Sequence, residues 1–151
     1  RNGMRIINNR NVNEKLTEWK DESIAILSLS DQSPGDSFKS YWMEFLNQPT
    51  AVLFGTELLA NEYDMAVVFF HMKKAKRGHY TIELELITEN PRKESYGFIT
   101  ESHTRKLEQI IQQKPEFWLW SHKRWKREIP KNLEELKSEQ KKRFEQKYRS
   151  A

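Results

Sequence analysis

No cysteine occurs among the 151 residues, which excludes a disulfide scaffold and any thiolate-ligated metal site. Glycine and proline are scarce, five of each, so collagen-like and low-complexity classes fall away. No apolar run approaches the roughly 20 residues that a membrane-spanning helix needs. The opening Arg1-Asn2-Gly3-Met4 carries no signal-peptide pattern. Neither a glycine-rich phosphate loop nor a G-x-S-x-G elbow is present. His71, His79, His103 and His122 lack H-x-x-x-H and H-E-x-x-H spacing, so neither a zinc site nor a cofactor is expected.

What is present is enough for one domain. Eighteen aromatics (five Trp, five Tyr, eight Phe) offer core-forming bulk within a chain that is 32% charged. The net charge of +4 hides an asymmetry. Residues 31–70 hold one basic and six acidic side chains, net −5, whereas residues 123–151 hold eleven basic and five acidic, net +6. A basic end suits an anionic partner (nucleic acid, phospholipid or a phosphorylated sugar) and equally suits a solvated helix rich in lysine.

Periodicity gives an order of elements. Met4–Ile7 reads as a short strand. Asn11 and Glu14 mark a helix start, and Val12, Leu16 and Trp19 share one face of that helix. The apolar run Ile24–Leu29 predicts a strand covered on both faces. Asp31-Gln32-Ser33-Pro34-Gly35-Asp36 is a loop at its end, where open α/β sheets place ligands. Tyr41–Leu46 reads as extended and Thr50–Tyr63 as a helix. Met65–Phe70 is predicted as a second buried strand, joined by a polar turn to a strand alternating Tyr80, Ile82, Leu84 and Leu86 with polar residues. The short connection makes this pair an antiparallel hairpin, with one face of its second strand buried. Thr100 starts a helix through Leu107, Ile110 and Ile111, and Pro115 ends it and can open the next. Lys131–Arg149 is a polar helix. The fold class expected is therefore α/β, a mixed sheet with helices packed on it and a helical C-terminal extension. The domain spans 1–128, with a basic helical tail over 129–151.

Three features carry candidate chemistry. His103 and Glu108 form H-x4-E, but on one helix five residues turn them about 140° apart, so a catalytic pair is not expected. Asp31, at a strand end, reads either as a functional carboxylate or as a cap of the turn after it. The segment from Glu116 to Lys126 packs Phe117, Trp118, Trp120 and Trp125 among Lys123, Arg124 and Lys126. It reads as core, as an amphipathic interfacial helix, or as a base-stacking surface beside a basic groove.

Pro115-Glu-Phe-Trp-Leu-Trp-Ser-His-Lys-Arg-Trp-Lys126 resembles the C-terminal signature P-E-Q-[YW]-[LM]-W-x-H-[KR]-R-[FW]-K of bacterial lipid A late acyltransferases, in the lysophospholipid acyltransferase superfamily. Phe117 stands where the family has Gln. The stretch Arg1–Arg10 resembles the family's arginine-containing segment, and Leu29-Ser30-Asp31-Gln32 its strand-end D-[HQ] motif. The resemblance covers about residues 1–128. It implies an enzyme that moves a fatty acyl chain from a thioester carrier, acyl carrier protein or acyl-CoA, to a hydroxyl of a lipid A precursor or related lysolipid. It places that enzyme at the cytoplasmic face of the bacterial inner membrane. By the same resemblance Arg1, Arg10 and Asp31 would bind substrate. Trp118, Trp120, Lys123, Arg124, Trp125 and Lys126 are the residues expected to meet an anionic membrane surface or other anion, with no nucleic acid partner expected. The family's catalytic H-x4-[DE] lies upstream of the arginine segment, so the sequence reads as the C-terminal half of such an enzyme, inactive alone. A nucleic-acid-binding or protein-interaction module without catalysis is the competing reading.

Overall fold

The computed structural model describes residues 3–8 and 10–149. Helix α1 runs over Val12–Glu18 and buries Leu16. Asn11 precedes it as expected, although no side-chain capping bond forms there. Residues 4–8 form no strand; Arg5 instead pairs with Glu22 and stacks its guanidinium 4.4 Å from the Trp19 ring centroid.

The next two strands are β1, Tyr41–Phe45, and β2, Gln48–Val52, an antiparallel hairpin. Its turn residues Leu46 and Asn47 both take positive φ, 51° and 60°, the geometry a two-residue hairpin needs. Tight closure commits Thr50, Ala51 and Val52 to a strand, where all three are buried with Trp42 and Phe45. The helix expected from Thr50 therefore begins later: α2 spans Gly55–Tyr63.

Strands β3, Val67–Lys76, and β4, His79–Thr88, form the expected antiparallel hairpin, but Lys73–Lys76, read as part of the polar turn, pair with β4, and the turn shrinks to Arg77-Gly78. Helix α3 covers Phe98–Gln113 and α4 covers Leu133–Tyr148. The class is α/β with a helical C-terminal element. The strands form two separate antiparallel hairpins rather than one mixed sheet.

Two further expectations about burial are corrected. Residues 23–30 form no strand, and Leu27 and Leu29 are largely exposed. Ser28 and Ser30 bond the Thr56 hydroxyl, both at 2.9 Å, which fastens the segment to α2 by side chains instead of a ladder. On the long hairpin, Val68, Phe70 and Met72 of β3 lie opposite Leu86, Leu84 and Ile82 of β4. That whole apolar face is 40–69% exposed, because no described element covers it.

The interior is shared between side chains of distant segments. Ala60, Val67 and Ile99 form a small core with Ile87 packed on it. Glu57 of α2, fully buried, accepts the Gly97 N–H at 2.6 Å and the Thr100 N–H at 2.9 Å. Its carboxylate thereby satisfies free donors at the start of α3. Burial pushes its pKa up, and the amide donors oppose that. Gly97 has φ of +87°, and a Cβ there would meet the Tyr41 ring at 2.7 Å. Helix α4 is anchored by Phe144, which packs against Phe54, Tyr96 and Tyr148. Gln140 of α4 donates to the Phe38 carbonyl at 2.7 Å.

Candidate functional site

An apolar groove with about 860 Å³ of space lies between the segment 24–31 and β3. Leu59 and Ala60 of α2 and Leu107 and Ile110 of α3 line it as well. The two hairpins and the helices create it by geometry. β3 pairs with β4 along one edge, the segment 24–31 stands off from its other edge, and α2 and α3 supply further walls. Its size falls within the roughly 300–1,000 Å³ of small-molecule sites.

Polar groups on the groove are few. Asp31 stands at the end of segment 24–31, exposed, in the loop the sequence predicts. His103 reaches the groove from α3, with its Nε2 buried and without a partner. Burial pushes the His103 pKa down to about 4, so the imidazole is neutral at pH 7. Glu108 faces elsewhere: it accepts the Leu46 N–H at the β1–β2 turn and pairs with Arg105 at 2.6 Å. His103 and Glu108 thus diverge, as their spacing requires.

Arg10 is exposed before α1, is absent from the groove lining, and makes no ion pair with Asp31 among the described residues. Arg1 lies outside the described residues.

The aromatic-basic segment departs from the helix its spacing suggests. After a single 3-10 turn over Pro115–Phe117 the chain runs irregularly to Pro130. Tertiary contacts win over helical propensity here. Trp118 and Trp125 both pack on Phe45, with ring centroids 6.5 Å away in each case. The Trp125 indole N–H donates to Thr50 Oγ1 at 2.8 Å. Arg124, only 4% exposed, lies over the Phe45 ring and donates to the Ala51 carbonyl at 2.7 Å. Burial lowers its pKa, and the Asp31 carboxylate opposes that shift. Trp120, Lys123 and Lys126 remain exposed, with Phe117 and Leu119 beside them. The segment therefore divides: Trp118, Arg124 and Trp125 turn inward, and Trp120, Lys123 and Lys126 turn to solvent.

Two side chains that sequence reasoning did not single out join this segment to the Asp31 loop. The Ser33 N–H donates to His122 Nε2 at 3.0 Å, and Arg127 Nε donates to the Pro34 carbonyl at 2.7 Å. His122 was visible inside the signature, but nothing in its spacing reveals a partner 89 residues away.

No helix among the described residues is long and apolar enough to cross a membrane, and no group of His, Asp or Glu there could hold a metal ion. The family model described as bacterial lipid A biosynthesis acyltransferase matches residues 1–127. No curated protein matches the chain.

Proposed function

Because the chain belongs to the bacterial lipid A biosynthesis acyltransferase family, we propose that its groove receives a fatty acyl chain and that Asp31 serves the reacting end. The observation that carries this reading is the apolar groove with a carboxylate at one end. Each methylene buried there contributes about 0.8 kcal/mol, so a long acyl chain is held without any polar partner. The donor is an acyl thioester of acyl carrier protein or coenzyme A, and the acceptor a hydroxyl of a lipid A precursor or related lysolipid.

Acyl transfer to a hydroxyl needs a general base within hydrogen-bond reach of the proton it removes. His103 is a poor base, since burial makes its nitrogen resist protonation, and Glu108 is committed to Leu46 and Arg105. The family resemblance implies that an H-x4-[DE] pair is the base, and the role proposed for the groove and Asp31 is to bind and orient. Asp31 accepts a hydrogen bond from a substrate hydroxyl, and Arg10, with its guanidinium fork, is suited to a phosphate of the acceptor. The outward set of Trp120, Lys123 and Lys126 beside Phe117 and Leu119 supports a contact of this segment with the anionic cytoplasmic leaflet.

The test is acyl transfer by the enzyme that contains this chain. Asp31→Ala is expected to lower turnover at least about tenfold, about 1.4 kcal/mol of transition-state stabilisation. Full turnover in that variant contradicts the role given to Asp31.

A further inference from the structure

The loop that carries Asp31 is not held by its own turn chemistry alone. Its middle is gripped at two adjacent residues by one distant segment, through the Ser33 N–H on His122 and the Pro34 carbonyl on Arg127. The same segment is itself fastened to β2, through Arg124 on the Ala51 carbonyl and Trp125 on Thr50. Farther along, the loop is tied by Trp42 Nε1 to the Ser37 carbonyl at 2.8 Å and by Gln140 of α4 to Phe38. Pro34 is buried while Asp31 is exposed, so the grip lies beneath the loop and the carboxylate stands free of it.

We propose that His122 and Arg127 are positioning residues that clasp the Ser33–Pro34 turn and so fix where Asp31 presents its carboxylate at the groove. The inference rests on the role of Asp31 given above. The chemistry is specific. His122 accepts a backbone N–H, so its Nε2 carries the lone pair and its Nδ1 the proton. An imidazolium or an apolar side chain cannot accept that bond, whereas the amide oxygen of a glutamine can. Arg127 donates through Nε of its planar guanidinium, which a lysine ammonium does not reproduce. A bound acyl thioester gains only if the carboxylate is already in place, since a shift of about 1 Å at a reacting group costs up to about a hundredfold in rate.

The test combines amide hydrogen exchange on the 151-residue chain with transfer kinetics of the enzyme containing it. His122→Ala is expected to speed exchange at the Ser33 amide at least tenfold while the amides of Thr104 and Ile111 in the body of α3 stay protected. Turnover then falls at an unchanged KM for the acyl donor, and His122→Gln restores both. Arg127→Ala removes the hold on the adjacent Pro34 carbonyl and is read in the same way at the Ser33 amide. Unchanged Ser33 exchange in His122→Ala overturns the clasp. Faster Ser33 exchange with full turnover overturns its positioning role, and so does a uniform loss of protection that includes Ile111, because His122 then supports the fold as a whole. Loss of turnover in His122→Ala with no change in Asp31→Ala counts against the reading of Asp31, while the exchange data still decide whether the clasp exists.

Discussion

At the scale of single residues, the groups that matter are those whose surroundings change their chemistry. His103 is the clearest. Its pKa sits at about 4 instead of the ordinary 6.5, because burial in an apolar wall penalises the charged ring. Between those two pH values the unfolded chain binds a proton that the folded chain refuses. Stability from this group is therefore complete above about pH 6.5 and falls as the pH drops towards 4. At about 1.4 kcal/mol per pH unit, the loss at pH 4.5 is on the order of 2–3 kcal/mol. Urea unfolding of His103→Leu at pH 7 and pH 4.5 is expected to show a pH slope smaller by that amount, and an unaltered slope contradicts the burial. The sequence shows His103 and Glu108 on different faces of one helix, and that much was legible because 3.6-residue periodicity is local. The burial of His103, the inward turn of Arg124 and the partner of His122 were not legible, since each depends on a residue far away in the chain.

At the scale of elements, the strong local signals survive and the weak ones give way to tertiary contacts. The β3–β4 alternation, the apolar stripe of α3 and the polar helix α4 all appear where periodicity puts them. Thr50–Val52 becomes strand because Leu46 and Asn47 close a hairpin no Asn-Gly signal announces. The Glu116–Lys126 segment loses its expected helix because Trp118 and Trp125 share Phe45 as their packing partner. That exchange divides its surface into an anchored side and a wet side, and only the wet side is available to a membrane. The double variant Trp120→Ala/Lys123→Ala is expected to partition several-fold less onto liposomes containing anionic lipid. Most of the lysine share disappears at high salt, since exposed charges are screened beyond about 10 Å at 0.1 M. Partitioning equal to that of the unmodified chain removes this segment from membrane contact.

At the scale of the whole molecule, the two hairpins and four helices of the described residues leave apolar surface on view along β3–β4. Val68, Phe70 and Met72 of that surface also line the groove beside segment 24–31. Monomeric soluble proteins rarely leave contiguous apolar patches of such extent without a partner for them. The sequence announces this surface as buried strand, because apolar runs are read as core whatever covers them. The α/β class and the Asp31 loop were legible from local pattern; the position of the groove depends on how separate hairpins and helices meet. In the reading proposed above, a fatty acyl chain occupies the groove, with Asp31 at the reacting end. The most direct measurement is chemical-shift mapping of the 151-residue chain titrated with a medium-chain acyl thioester. Saturable shifts are predicted at Leu59, Val67, Leu107, Ile110 and the His103 ring, with Asp31 shifting in the same titration. Saturable shifts confined to Tyr80, Ile82, Leu84 and Leu86 of β4, or to the basic residues of α4, would contradict the assignment of the groove.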